Sequence, residues 1–442
     1  GLCELLTLSR PHRAACGGPW SLGRSRLERF SFNPQGVRIS REGEKADSED
    51  HEGEVGSEAA QPIARNALDK VIASSPHLPF MTLALRLAAK GQGRTSPNPM
   101  VGALVVKNGR IVGRGYHHGP GQPHAEVLAL NEAGPRANGA TLYVTLEPCC
   151  HLLKRTPPCV PTVVQFGVRE VVVAMADPNP KVKGRGIAAL RRAGIAVTTG
   201  MAQEEAEKLN REYLHWVRTG RPYVIMKAGM TLDGKVATAK GESRWITGPR
   251  ARHDAHRLRS HVDAVVIGVG TILQDDPSLT ARLSDRPLKL SPKQPLRVVL
   301  DSRLRTPLGA TICDAQDRAK TLLATTGRAP QSRRRLFEQA GVGVLSLSTK
   351  KGHVSLPALM TALGKRGIIS VLIEGGSTVN AAALREKLVN RVVLYIAPTL
   401  MGGQDAKAVI GGRSPKLLAQ ALALRHVTVR RIGKDLVVEG DL

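Results

Sequence analysis

The spacing of apolar residues changes along the chain from residue 76 onward, and the changes outline an α/β protein. The run MTLALRLAAKG (81–91) repeats at the helical period and stops on glycine, which predicts an amphipathic helix. VGALVVKNGRIVGRGY (101–116) holds two β runs joined at Asn108-Gly109, a dipeptide suited to a two-residue hairpin turn. HAEVLALNEAG (124–134) predicts a helix, ATLYVTLEP (140–148) a strand, PCVPTVVQFG (158–167) a helix and EVVVAMADP (170–178) a buried strand. RGIAALRRAGIAVTTG (185–200) predicts a helix and then a strand, and residues 202–217 a charged helix. Thr219-Gly220-Arg221-Pro222 reads as a short linker. A second α/β stretch opens with YVIMKAG (223–229) and has later β runs at 262–270, 296–302, 368–376 and 391–398. The expected organisation is one domain over 76–220 and another over 221–442.

Residues 1–75 lack this periodicity and include an acidic polar run from Glu42 to Glu58. Their composition predicts a disordered extension. The first forty or so residues contain Arg and Ser with few acids, so a transit peptide over 1–41 and an organellar location are the alternative to a cytoplasmic one. No run approaches the roughly 18 consecutive apolar residues of a membrane span.

The formal net charge of +27 calls for an anionic partner. Aromatics make up 3% of the chain, too few for the stacking platforms of a single-strand binder. Phosphorylated small molecules are therefore expected as partners, and nucleic acid and membrane are not. Of six cysteines, Cys149, Cys150 and Cys159 cluster near a His-x-Glu, a usage of metal sites rather than of disulfide frameworks.

That cluster holds the chemistry. His124-Ala125-Glu126 starts one predicted helix, Pro148-Cys149 follows a strand, and Pro157-Pro158-Cys159 starts another helix. Singly, each is an ordinary packed residue. Together, one imidazole and two thiolates can hold a tetrahedral zinc with a position left for water. Glu126 can move that water's protons without being a ligand. The set resembles the signature of zinc-dependent base deaminases. Cys150 competes with Cys149, but Cys149 directly follows Leu146-Glu147-Pro148 at the strand exit and is the expected ligand. A structural zinc would want a fourth ligand, for which His151 is the nearby candidate.

SPNPMVGALVV (96–106), GYHHGPGQPHAE (115–126), TLEPC (145–149), RTPPC (155–159) and ADPNPKVKGRGI (177–187) resemble the bifunctional deaminase/reductase family of riboflavin biosynthesis. MKAGMTLDGKVAT (226–238), GESRWITG (241–248), GVGTILQDDPSLTAR (268–282), VVLDSR (298–303) and LIEGGSTVNAAAL (372–384) continue the likeness, which spans about residues 78–442. The resemblance implies a cytidine-deaminase-like α/β/α domain followed by a dihydrofolate-reductase-like α/β domain. It implies Zn²⁺ on His124, Cys149 and Cys159, with Glu126 as proton shuttle and Asn98, Arg155 and Thr156 as substrate contacts. In the second domain it implies that Lys227, Ser243, Arg259, Leu279, Arg282 and Glu374 face the ribose-phosphate substrate. Gly229, Trp245, Thr271, Asp275, Ser302 and the loop from Gly376 would face NADPH. Between the cysteines this chain has one residue more than the family pattern and lacks its glycine. The implied reaction is hydrolytic deamination of a diaminopyrimidinone ribosylamine phosphate, then NADPH-dependent reduction of ribosyl to ribityl, by a homo-oligomer.

The residues agree in kind with that second half. Gly268, Gly270, Gly375 and Gly376 lie at strand ends, where backbone amides can approach phosphate. No GxGxxG with a downstream ribose acid is present, so a Rossmann domain is not indicated. A nucleic-acid base-editing deaminase would share the zinc set but would not need the second α/β domain. A scaffold with a decayed deaminase half would not need Glu126.

Overall fold

The computed structural model describes residues 75–151, 156–283, 292–314 and 321–442. The expectations for the leader up to residue 74, and for Arg155, lie outside the described residues.

The first part comprises α1 (Leu78–Ala89), β1 (Gly102–Lys107), β2 (Arg110–Tyr116), α2 (Ala125–Ala133), β3 (Thr141–Val144), α3 (Cys159–Gln165), β4 (Glu170–Val173), α4 (Arg185–Arg192), β5 (Ala196–Thr199), α5 (Gln203–Leu209) and α6 (Arg211–Thr219). Its five-stranded sheet runs in the order β2-β1-β3-β4-β5. β1 is antiparallel to β2 and β3, while β3, β4 and β5 are parallel. Asn108 and Gly109 take φ of 50° and 72°, the left-handed pair that a type I′ hairpin requires. Alternate strand residues face two cores. Val105, Leu142 and Val171 meet α2, α3 and α4 on one face, and Leu104, Tyr143 and Val172 meet α1 and α5 on the other. The result is an α/β/α layering.

The charged segment 202–217 is two helices rather than one, broken at Asn210. The Asn210 amide accepts from the Met100 N–H at 2.7 Å and donates to the Met100 carbonyl at 3.0 Å. A side chain bound to a distant peptide in this way offers the chain an alternative to continuing the helix.

The second part comprises β6 (Tyr223–Thr231), β7 (Lys235–Ala237), α7 (Pro249–His261), β8 (Ala264–Gly268), α8 (Val269–Asp275), β9 (Leu296–Leu300), β10 (Thr321–Thr325), α9 (Gln331–Gln339), β11 (Gly343–Ser346), β12 (Thr349–Lys350), β13 (His353–Val354), α10 (Leu356–Lys365), β14 (Ser370–Ile373), α11 (Ser377–Arg385), β15 (Arg391–Ala397), β16 (Lys407–Ala408), β17 (Arg425–Ile432) and β18 (Asp435–Asp441). Nine strands form one sheet, ordered β11-β10-β9-β8-β14-β6-β15-β18-β17. It is parallel up to β15 and antiparallel at β18 and β17. The inner strands read as continuous apolar runs because helices cover both faces. α7, α8 and α9 pack on one face, and α10 and α11 on the other. The Trp216 indole donates to the Gly364 carbonyl at 3.0 Å, and Ile369 is buried with Tyr213 and Leu214, so the two sheets share packing near residue 220. No helix among the described residues is long and apolar enough to cross a membrane.

Candidate active sites

The first site is built at chain exits. His124 is the N-cap of α2, in extended conformation at φ −75°, ψ 161°. α2 lies directly on β2, because Gly113 and Gly115 present no side chains. A Cβ at these positions would come within 2.0 Å of the Ala129 carbonyl and 2.2 Å of the Ala125 carbonyl. Cys159 is the first residue of α3, and its N–H and that of Val160 donate to the Cys149 carbonyl at 3.0 and 3.2 Å. Glu147 fixes the strand exit just before. Its buried carboxylate accepts from the backbone N–H of Asp177, Gly184, Gly186 and Ile187 at 2.9 to 3.2 Å.

His124 Nδ1 thereby lies 3.5 Å from Cys149 Sγ and 3.2 Å from Cys159 Sγ, with the two sulfurs 3.4 Å apart. Among the described residues these form the one His/Cys/Asp/Glu cluster of metal-ligand geometry. Cys150 is only partly buried and stands outside it. Thr156 Oγ1 sits 3.2 Å from His124 Nε2, which leaves Nδ1 to face the thiols. Glu126 is 3% exposed, and its Oε2 is buried with no hydrogen-bond partner. Burial pushes its carboxyl above the usual range, the charge of Cys149 adds to this, and His124 opposes it. A His/Cys/Cys donor set beside an unsatisfied buried carboxylate oxygen fits zinc and its water.

Asn98 reaches this site through His117, with Nδ2 3.1 Å from His117 Nε2. The His117 ring meets the His124 ring edge-on at 5.3 Å between centroids. His117 was not singled out by the sequence, and Glu147 only as part of the strand exit, yet both position the expected site residues. The only signals were the doubled histidine in GYHHG and an acid beside the apolar strand 141–144. Asp177, also buried, accepts from the Tyr213 hydroxyl at 3.0 Å, and burial pushes its carboxyl up to about 6.

The second site is a cleft of about 990 Å³ at the C-terminal ends of β6, β8, β9 and β14. It brings together Lys227, Ser243 and Glu374, expected at the substrate, with Gly229, Thr271, Asp275, Ser302 and Gly376, expected at the cofactor. Ser243 Oγ donates to Asp275 Oδ1 at 3.1 Å. Glu374 is held between two cations, with Lys227 Nζ at 3.4 Å and the Arg259 guanidinium bidentate at 2.6 and 2.8 Å. Burial works against ionisation of Glu374, but Arg259 and then Lys227 outweigh it and hold the carboxyl down to about 2. Gly375 lies against Gly268, where a Cβ would stand 3.1 Å from the Gly268 nitrogen. The bare glycines and the N-terminus of α11 form a cradle of backbone amides that fits a dinucleotide pyrophosphate.

The other four expected residues do not line the cleft. Arg259 braces Glu374 from behind. Leu279 is buried at 3% exposure with φ of 53°. Arg282 donates to Ser278 Oγ and Thr280 Oγ1 and lies 3.4 Å from His256 Nε2. Trp245 is 67% exposed, with the Arg252 guanidinium 4.5 Å above its ring.

A His/Cys/Cys site on an α/β/α sheet, joined to a parallel-sheet domain with a glycine-floored cleft, defines a zinc base deaminase fused to a nicotinamide-dependent reductase. Residues 74–175 match the cytidine and deoxycytidylate deaminase zinc-binding region, and residues 222–438 match the RibD C-terminal domain. The chain is 43% identical to the riboflavin biosynthesis protein RibD of Actinobacillus pleuropneumoniae, over 82% of this chain and 94% of that one. It is also 43% identical to RibD of Escherichia coli K12, over 81% and 97%. The solved RibD of Acinetobacter baumannii superposes with a TM-score of 0.75 at 39% identity, covering 82% of this chain and 98% of that one. A Thermotoga maritima diaminohydroxyphosphoribosylaminopyrimidine deaminase/5-amino-6-(5-phosphoribosylamino)uracil reductase superposes at 0.72 with 34% identity, covering 83% and 98%. The chain belongs to the RibD family, the bifunctional deaminase/reductases of riboflavin biosynthesis, which use zinc and NADPH.

Proposed function

We propose that residues 76–220 deaminate 2,5-diamino-6-(5-phosphoribosylamino)pyrimidin-4(3H)-one. Residues 221–442 then reduce its ribosyl group to give 5-amino-6-(5-phosphoribitylamino)uracil. The convergence of His124 Nδ1, Cys149 Sγ and Cys159 Sγ beside the unpartnered Glu126 Oε2 carries the first half of this reading. These three side chains would hold zinc, which would supply an activated water for the carbon that bears the amino group. Glu126 takes the water's proton on Oε2 and returns it to the leaving nitrogen, so ammonia departs neutral. Its raised carboxyl suits both halves of that transfer. Asn98 and Thr156 orient the pyrimidine, and Arg155 binds the phosphate.

In the cleft, NADPH supplies the hydride. Lys227 directs its ammonium at the ribosyl ring oxygen, which takes a proton as its bond to the hydride-accepting carbon breaks, and Glu374 fixes Lys227 while Arg259 fixes Glu374. Ser243 shapes the substrate side of the cleft, and Gly229, Thr271, Asp275, Ser302 and Gly376 serve its cofactor side. The protein works as a homo-oligomer, a reading supported by Leu418 at 92%, Leu422 at 54% and Val429 at 62% exposure on or beside the edge strand β17. The test is incubation of the full chain with the diaminopyrimidinone phosphate. Ammonia release without NADPH, followed by NADPH consumption on its addition, supports both halves. NADPH consumption only with predeaminated substrate would remove the first.

A further inference from the structure

Lys227 is held at the reductase cleft by more than its acid partner. Its contact to Glu374 is long, at 3.4 Å, while Arg259 takes both oxygens of that carboxylate at 2.6 and 2.8 Å. A lysine stem is flexible, and one long contact leaves it much of its freedom. The second holder is Tyr395, whose ring centroid lies 5.6 Å from Lys227 Nζ. β6 and β15 are parallel neighbours, with Lys227 opposite Val393 and Gly229 opposite Tyr395. Ile225, Val393 and Tyr395 share one buried face of the sheet, and Lys227, two positions beyond Ile225, extends that face. Tyr395 does not line the cleft, so it meets Lys227 from behind.

The ring itself is fixed. Tyr395 is 2% exposed, and its hydroxyl donates to Asp254 Oδ2 at 2.9 Å. Burial, and then the charge of Asp254, push the phenol above its usual range, so it stays a donor. Asp254 in turn accepts from Arg257 at 2.6 Å and from Arg430 at 2.7 Å. Asp254 and Arg259 both stand on α7. One helix therefore steadies both flanks of Lys227, the carboxylate through Arg259 and the ring through Asp254. An aromatic face attracts a cation through its quadrupole. Unlike a carboxylate, it cannot take the ammonium's proton. Lys227 is thus held in place with N–H donors still to offer at the cleft.

We propose that Tyr395 is a positioning residue of the reductase, whose ring, anchored on Asp254, aims the Lys227 ammonium into the cleft. The proposal rests on the reading of Lys227 as the group that faces the ribosyl ring oxygen. Its test is steady-state reduction of predeaminated substrate by the full chain, with NADPH binding followed by nicotinamide fluorescence. Tyr395→Leu should lower kcat about 5- to 30-fold, with KM and the Kd of NADPH within about twofold. Tyr395→Phe keeps the ring and should hold kcat within about twofold, while its melting temperature falls because buried Asp254 loses a donor. In a Lys227→Met background, adding Tyr395→Leu should change kcat no further. Equal loss of kcat in Tyr395→Phe and Tyr395→Leu, or the full loss persisting in the Lys227→Met background, overturns the proposal while Lys227 keeps its role. An unchanged kcat in Lys227→Met sinks that role and the proposal together. If Tyr395→Leu does not fold, fluorinated phenylalanines at position 395 take its place. Then kcat should fall with each added fluorine, and a flat series overturns the proposal.

Discussion

The Cys159 backbone N–H donates to the Cys149 carbonyl at 3.0 Å, so the two thiol-bearing residues are fastened to each other by main chain. That bond closes the loop between them whatever its length. Among the described residues Cys150 has no such tie. Cys149→Ser should cut bound zinc to below about a tenth of one equivalent, while Cys150→Ser retains it. Metal analysis of the purified variants decides this, and loss in Cys150→Ser alone would reverse the choice of ligand.

Glu126→Gln removes the proton carrier but keeps the shape of the site. Ammonia release should fall by about 10²- to 10⁴-fold, with zinc content unchanged. NADPH consumption with predeaminated substrate should stay at the unaltered rate, because the second cleft shares no residue with the first.

Glu147→Ala would leave the buried N–H groups of Asp177, Gly184, Gly186 and Ile187 without their acceptor. Each unsatisfied donor costs about 1–3 kcal/mol, partly relieved by rearrangement. The deaminase transition in calorimetry should move down, and zinc affinity should drop about 10- to 100-fold as the Cys149 exit loosens. Retained zinc affinity with a lowered transition would reduce Glu147 to a purely structural role.

His256 is half-buried between Arg259 and Arg282. Burial first, and those guanidiniums next, push its ring down to about 4. The unfolded chain takes up a proton at this ring near pH 6.5 that the folded chain refuses until about pH 4. Stability should therefore fall as pH drops through that window. His256→Gln should flatten the dependence of the melting temperature on pH between these limits.

Glu374 behaves in the opposite sense to a buried neutral acid. Its carboxyl is held at about 2, below the ordinary 4.5, so the stability it contributes is present above pH 4.5 and is lost as pH falls towards 2. Arg259→Ala removes the bidentate partner from a carboxylate that is 6% exposed. Urea unfolding of the variant at pH 7 should show a loss of about 3 kcal/mol. Its reductase rate should fall through the loosened Lys227, with a smaller change in KM than in kcat.

The legible parts of the molecule were those written locally. Asn108-Gly109 announced its turn because only that backbone geometry joins the two strands, and His124 and Cys159 announced themselves by opening helices. The α/β class followed from apolar spacing alone. Residues whose role depends on a distant partner were hidden. Nothing near Asn210 in the chain points to Met100, so the break between α5 and α6 was invisible. Glu147 binds peptides 30 to 40 positions away. Arg259 was expected to face substrate, yet its partner Glu374 lies 115 positions along the chain and holds it behind the cleft.

The bareness of β2 at Gly113 and Gly115 sets the position of α2 by contact between two backbones, with no layer of side chains in between. His124 and Glu126 thus ride on a spacing that rotamer changes cannot alter. The core of this domain can drift in sequence, exchanging Leu for Ile or Val for Ala around it, without retuning the metal. Any side chain added to either glycine acts instead like a shim under an instrument, tilting histidine and glutamate together.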